Sequence, residues 1–346
     1  MKHKFYTLLL VCCAFLLGSC SDDGTTPRPE HVYSYLYAAD ERDNISESDR
    51  LQYAAYGWRL ESLSDEEMPQ NFRTCQSPFI ERETKTGYDA AFVPSRQGVE
   101  ELQASGSADF SAAGLDGLKA AISLQHDGPV TIVDLRSESH GLVNGIHTSL
   151  YGLQNWANIG FSAEQVLAKE YLEMHEVMGK TVEIAEIGSK NNYVPINPIN
   201  VVVETVQTEE ELCQEKGVGY VRFPILDHTF PSDRDIEGFV GFVQTLPADT
   251  WLHFHCKAGK GRTTSFMVFY DILRNPDVPL KDIVYRQTNI GGEYVLYEGG
   301  DPDEKAWKIP LCEEKAEMIP LFYRYVQETH GNGFAVKWSE WKRLLQ

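Results

Sequence analysis

Short apolar runs alternate with amphipathic stretches along most of this chain, the pattern of strands alternating with helices. Val130-Thr131-Ile132-Val133-Asp134-Leu135 is a continuous apolar run and predicts a central strand. Tyr220-Val221-Arg222-Phe223-Pro224-Ile225 predicts a second strand, and Thr250-Trp251-Leu252-His253-Phe254 a third, buried one. Helical spacing covers residues 112–125, 163–178, 235–246 and 265–273, the last with Phe266, Phe269 and Tyr270 on one face. Thr208-Glu209-Glu210-Glu211 is a capping box that starts a short helix. A charged stretch at 48–63 reads as helical, 102–107 as turn-rich, and 136–145 as a polar loop after the central strand. At 180–206 the pattern changes to short β-type runs around a loop with Asn191, Asn192, Pro195 and Pro198, predicting a small β insertion. The whole predicts an α/β sandwich with a largely parallel sheet.

Composition changes the picture in one respect. The net charge of −20 over 346 residues argues against nucleic acid as a general partner. An anionic substrate must then be drawn by a local basic pocket against the field of the whole molecule. The N-terminus stands apart from the globular pattern. Met1-Lys2-His3-Lys4 precedes an apolar stretch at 5–18 that ends in Leu17-Gly18-Ser19-Cys20. Residues 1–19 are similar to a bacterial lipoprotein signal peptide, in which Cys20 becomes the lipidated first residue of an exported protein. Ser21-Asp22-Asp23 resembles the surface-export signal of Bacteroidetes lipoproteins, so the expected place is the outer membrane, periplasmic or surface-facing. The polar residues 20–47 then read as a tether and 48–346 as the catalytic domain. Spacing leaves open a disulfide among Cys75, Cys213 and Cys312.

The chemistry concentrates in His255-Cys256-Lys257-Ala258-Gly259-Lys260-Gly261-Arg262-Thr263-Thr264. A strand feeds this loop and the loop feeds a helix, so inward-turned N–H groups and the helix dipole form an anion cradle. Cys256 sits where the dipole and nearby cations favour the nucleophilic thiolate. Arg262 offers a planar fork for two oxygens of a phosphoryl group. Gly259 and Gly261 allow a close approach to the anion, and Thr263 places a hydroxyl near the sulfur. Attack of the thiolate on phosphorus would form a phosphocysteine. By average residue usage such a motif arises by chance about 10⁻⁸ times per start position. A metal reading of His253-x-His255-Cys256 fails, because Cys256 points to the opposite strand face from the two histidines.

A phosphocysteine route needs a proton donor for the departing oxygen. Asp227 lies 29 residues before Cys256, in Leu226-Asp227-His228-Thr229-Phe230-Pro231-Ser232 after a strand. Cys256-x5-Arg262-Thr263 is the signature of the protein tyrosine phosphatase superfamily. Together with Asp227-His228-x-x-Pro231 and the run Val133-Asp134-Leu135-Arg136-x-Glu138-Ser139-His140-Gly141-x-x-Asn144-Gly145, it resembles the bacterial cysteine phytases. These are tyrosine-phosphatase-like inositol polyphosphate phosphatases. Asn155-Trp156-Ala157-Asn158, Asn71-Phe72-Arg73 and Arg286-Gln287 also fit the family pattern.

The resemblance implies a tyrosine-phosphatase core with a partial β-barrel, and stepwise phosphate removal from myo-inositol phosphates without a metal or other cofactor. It implies Cys256 as nucleophile, Arg262 as phosphoryl clamp and Asp227 as general acid. Arg73, Asp134, His228 and Lys308 fall where family members contact substrate or the loop. The loop residues Lys257, Ala258, Gly259, Lys260, Gly261 and Thr263 would line the phosphate. Two features depart from the pattern. Phe230 stands where the family usually has Trp, and Lys257 with Lys260 makes the loop more basic, closer to phosphoinositide phosphatases. Alternative readings are therefore a phosphoinositide or protein tyrosine phosphatase, or an inactive phosphate-binding module.

Overall fold

The structure is a computed structural model that describes residues 33–80, 85–301 and 304–345. The signal-like segment and Cys20 lie outside the described residues. The central sheet runs β10 (Gly219–Arg222), β4 (Val130–Asp134), β11 (Trp251–His255), β3 (Ala104–Ser107) and β2 (Arg73–Thr74). The first four strands are parallel and β2 is an antiparallel edge. β11 pairs with β4 and with β3, so it lies at the centre.

Period-2 alternation sends successive side chains to opposite faces, and both faces are covered. On one side Val133, Leu252 and Phe254 join the largest core with the helices Asp233–Thr245, Gly261–Arg274, Leu280–Asn289 and Ile309–Thr329. On the other, Ile132 packs with Phe110 and with Leu115, Leu118 and Leu212 from the helices Ala112–Ser123 and Glu209–Glu215. The capping box at Thr208 is formed in both directions, between the Thr208 side chain and the Glu211 backbone and back again.

A second sheet carries β8 (Ile196–Val202), β7 (Thr181–Glu186), β1 (Gly57–Ser62), β6 (Ile146–Tyr151), β5 (His140–Val143) and β9 (Val206–Gln207). The predicted insertion at 180–206 is thus one edge of a six-stranded sheet assembled from three parts of the chain. Three other expectations are corrected here. The stretch at 48–63 is a short helix, Glu47–Arg50, followed by β1. Its Arg59 and Glu61 point inward and pair with each other, so charges occupy positions that normally carry apolar residues. The stretch at 102–107 contains the buried strand β3, built from small residues because helix Gly261–Arg274 lies close: a Cβ on Gly106 would sit 2.7 Å from Met267 Sδ. The 136–145 segment holds the buried strand β5 and its turn rather than an open loop.

Residues 33–47, expected within the tether, pack on the body. Leu36 is buried in the main core, Arg42 makes two hydrogen bonds to Glu314, and Lys342 reaches Asp40 and the Leu36 carbonyl. Cys75, Cys213, Cys256 and Cys312 are all free thiols, which answers the open disulfide question for the described residues.

Candidate active site

β11 ends at His255, and Cys256–Lys260 turns into the helix Gly261–Arg274, so the nucleophile candidate sits at the mouth of a helix N-terminus. Cys256 is nearly buried, and its Sγ accepts a hydrogen bond from the Thr263 hydroxyl at 3.2 Å. Gly259 has φ +65, and a Cβ there would meet the Ser107 carbonyl carbon and the Ala108 nitrogen at 2.3 Å. Only glycine fits at that position. Gly261 is different from its expectation: it begins the helix, and its nearest obstacle to a Cβ is Glu293 Oε2 at 3.5 Å, an ordinary contact.

Arg262 is the most heavily constrained side chain of the site. Its two terminal nitrogens bond both oxygens of Glu138 at 2.7 and 2.9 Å, and Nη1 also reaches the Ile225 carbonyl at 3.0 Å. Burial works against ionisation of Glu138, but Arg262 outweighs it and holds the carboxyl below its usual range. The pair aims the fork before any phosphate arrives, which is how a clamp avoids reorganisation cost. Replacing Glu138 with Ala should therefore strand a buried guanidinium and cost about 3–5 kcal/mol of stability in urea unfolding. A loss under about 1 kcal/mol would show that Arg262 is held by its carbonyl contacts alone.

Asp227 faces the same guanidinium, with Oδ1 3.2 Å from Arg262 Nη2. Its other oxygen accepts from the Asn155 amide at 2.7 Å, and its carbonyl accepts from Trp156 Nε1 at 2.9 Å. His228 adopts a left-handed backbone, φ +70, which brings its Nε2 to 3.4 Å from Asp227 Oδ2. Burial would raise the carboxyl of Asp227, yet Arg262, then His228 and Asn155, hold it well below the usual carboxylate range. For His228 burial dominates, and its titration is lowered despite the nearby Asp227. Phe230 packs in the core against Phe269 and Trp338, so the departure from Trp affects packing and leaves the acid oxygens untouched.

Above the loop opens a cleft of about 220 Å³. The structure brings Cys256, Lys257, Ala258, Lys260, Gly261, Arg262, Asp227, His228 and Lys308 to its lining, as expected. Lys85 and Lys315 join them, together with Glu293, Tyr294 and Tyr297. Lys85 pairs with Glu293 at 2.5 Å, and Trp307 packs edge-on against His228. Lys257 leans on the buried Glu61, 3.4 Å away.

Gly259 and Thr263, expected with the other loop residues, are not in that lining, and two expected contacts from outside the loop also lie elsewhere. Asp134 is fully buried behind the loop, where it accepts from the Arg136 N–H and the Tyr220 hydroxyl and pairs with Arg222. Its strand ends in the sheet interior, so its carboxylate serves the core and does not reach the cleft. Arg73 is buried beneath the loop and donates to the Gly259 carbonyl at 2.7 Å and to Thr264 Oγ1 at 3.1 Å. With Asn71, which donates to the Ala258 carbonyl, it braces the loop from below. Glu138, Asn155 and Trp156 belong to motifs visible in the sequence, but their partners lie 124, 72 and 71 residues away. Only the fold reveals what they hold.

Residues 133–274 match the PTP-like phytase family, described by inositol hexakisphosphate. The matched segment holds Asp227, Cys256 and Arg262. Its fold is similar to a PTP-like myo-inositol phosphatase of Mitsuokella multacida, solved with myo-inositol-(1,3,4,5)-tetrakisphosphate: TM-score 0.80 and 40% identity over 89% of this chain and 52% of that one. A PTP-like phytase of Bdellovibrio bacteriovorus is similar at 29% identity and TM-score 0.65, covering 84% of this chain and 96% of that chain. The effector protein hopD2 of Pseudomonas syringae pv. tomato is 29% identical over 255 residues, 72% of this chain and 53% of that protein. The chain thus spans about half the length of the Mitsuokella and Pseudomonas proteins. Among its described residues no helix is long and apolar enough to cross a membrane.

Proposed function

We propose that this protein is a cysteine-dependent phosphomonoesterase that removes phosphates stepwise from myo-inositol hexakisphosphate and lower inositol phosphates. One observation carries the reading: a pre-aimed Arg262 and Asp227 sit at a cysteine loop whose cleft is lined by Lys85, Lys257, Lys260, Lys308 and Lys315. Five ammoniums suit a ligand with several phosphates better than a single phosphotyrosine, and they oppose the negative field of the whole molecule. The likeness to a Mitsuokella phosphatase solved with an inositol tetrakisphosphate points the same way.

In this reading the Cys256 thiolate attacks phosphorus, the bond to the inositol oxygen breaks, and Asp227 gives that oxygen its proton. Water then attacks the phosphocysteine and passes a proton back to Asp227. Phosphate leaves and the thiolate is restored, with the Thr263 hydroxyl bonded to the sulfur. Arg262 and the loop N–H groups carry the equatorial oxygens in both steps.

The test is phosphate release from inositol hexakisphosphate set beside release from a phosphotyrosine peptide and a phosphoinositide in vesicles. The soluble hexakisphosphate should be the best substrate. The reverse order would move the reading to a protein or lipid phosphatase. Lys257→Ala combined with Lys260→Ala should raise KM about tenfold or more for the hexakisphosphate and much less for p-nitrophenyl phosphate. Equal changes on both would make those lysines ordinary surface charges.

We also propose that the protein is exported and anchored through lipid on Cys20, on the strength of the Leu17–Cys20 sequence alone. Palmitate labelling that persists in Cys20→Ser would rule this out.

A further inference from the structure

On the sheet face opposite helix Gly261–Arg274, three histidines gather around Glu209, at the start of helix Glu209–Glu215, with Asp134 beside them, 3.3 Å from His140 Nε2 and 3.8 Å from His255 Nε2. The histidines are His140 on β5, His147 on β6 and His255 at the end of β11. None of the five is more than 1% exposed. His140 Nε2 and His147 Nε2 lie 3.4 and 4.0 Å from Glu209 Oε2, and His255 Nε2 lies 2.7 Å from Oε1. Among the described residues, none of these three ring nitrogens and neither Glu209 oxygen makes a well-directed hydrogen bond. The His255 contact is short but points away from the direction its N–H would need. Buried polar atoms are nearly always paired, so five inward-facing atoms left without a bond at one point call for a common partner.

The outer ring nitrogens say what kind of partner. His140 Nδ1 lies 2.7 Å from the Glu138 carbonyl, which can only accept, so Nδ1 carries a proton, and a metal at Nε2 would take the place of any proton there. His147 Nδ1 lies 3.5 Å from Asp109 Oδ2 without a directed hydrogen bond. An imidazole that gives its outer N–H to a carbonyl or carboxylate is the usual support around a metal-bound histidine. A tetrahedral zinc with bonds of 2.0–2.1 Å sets its ligand atoms about 3.3 Å apart, close to the His140 spacing. Asp134 does not need His140, since Arg222, the Tyr220 hydroxyl and the Arg136 N–H already serve it. Glu209 has no lysine or arginine partner among the described residues, and its other support is the first turn of its own helix.

We propose that His140, His147 and Glu209 form a buried structural site for a divalent transition metal, zinc by preference for two imidazoles and a carboxylate. Bound there, the ion would tie the β5–β6 hairpin to helix Glu209–Glu215, and the other oxygen of Glu209 carries the link to His255, the residue that precedes Cys256. Cys256 belongs to the opposite core, so the phosphoryl chemistry stays free of metal. The histidine His253 takes no part: its two ring nitrogens are satisfied by Ser105 and Ser107.

Metal analysis of the untagged protein, purified without chelator, tests the site. About one zinc per chain is expected, kept in Cys256→Ser and lost in His147→Ala. X-ray absorption at the zinc edge should show nitrogen and oxygen ligands with imidazole scattering and no sulfur. Protein refolded from chelator should gain thermal stability on adding zinc alone. Cobalt in its place should give tetrahedral visible bands without a thiolate charge-transfer band. Substoichiometric metal both as purified and after zinc addition would overturn the proposal, leaving a proton as the shared partner. Sulfur in the coordination shell would overturn it too, placing the metal at a cysteine. If His147→Ala does not fold, the absorption spectrum of the unaltered protein still decides.

Discussion

Replacing Cys256 with Ser should lower turnover of inositol hexakisphosphate by about 10⁴-fold or more, a barrier rise of at least about 5.5 kcal/mol. A serine hydroxyl must lose its proton to attack, and among the described residues no carboxylate or imidazole is hydrogen-bonded to the Cys256 sulfur. The hydrogen-bond partner of the Cys256 sulfur is the Thr263 hydroxyl, which donates. The neighbouring carboxylate Asp227 is committed to Arg262 and Asn155. The substitution removes little volume and leaves the Arg262–Glu138 pair and the lysine lining in place. Binding of the hexakisphosphate by calorimetry should therefore stay within a few-fold of the unaltered protein, with the melting temperature nearly unchanged. Turnover that survives in folded Cys256→Ser would remove the phosphocysteine from the mechanism. Loss of binding along with turnover would mean the loop had collapsed, and the variant would then report on structure.

Asp227→Asn should lower kcat/KM on inositol hexakisphosphate by about 10²–10⁴-fold, with a smaller loss on p-nitrophenyl phosphate, whose leaving group needs little protonation. Equal losses on both would show that Asp227 positions Arg262 and does not act as the acid. The charge arrangement adds a sharper measurement. In the unliganded site Arg262 holds the Asp227 carboxyl well below its usual range, so a general acid would begin without its proton. A phosphate dianion on the guanidinium removes most of that pull, and the carboxyl titration must then rise on binding. The sign follows: ligand binding takes up a proton, and tightens as pH falls. Inositol hexasulfate carries similar charge but neither reacts nor titrates near neutrality, so its binding isolates the effect. Calorimetry in buffers of different ionisation enthalpy should show fractional proton uptake that grows toward acid pH and disappears in Asp227→Asn. Uptake unchanged in the variant would assign the proton to another group, His228 first, since it lies 3.4 Å from the same carboxylate.

Much of the site was legible because it is local. The loop Cys256–Arg262 is one contiguous stretch, and its glycine, threonine and arginine act on atoms a few residues away, as the Thr263 bond to sulfur shows. The central strands were legible for the same reason, since Val130–Asp134 and Trp251–His255 each carry apolar residues on both faces. Asp227 stands out in the sequence through its place after a strand and through the family pattern, and it lines the cleft.

What stayed hidden depends on pairs far apart in the chain. Arg59, Glu61, Arg136 and Glu138 are polar letters that predict surface, yet all four are buried because they neutralise one another or Arg262. That is why 48–63 and 136–145 were misread, as helix and as open loop. Ala104–Ser107 has no apolar pattern, and becomes a central-sheet strand because only small side chains fit under the phosphate loop and its helix. Arg73 and Asp134 sit in motifs expected to contact substrate or the loop, and tertiary packing made one a brace under the loop and the other a core anchor. By itself, then, the sequence determined the strand–loop–helix around Cys256 and the parallel sheet, because those follow from local backbone geometry and side-chain alternation. Which charges face the cleft and which face the core was decided only by the tertiary structure, because a charge can be buried wherever the fold supplies its partner.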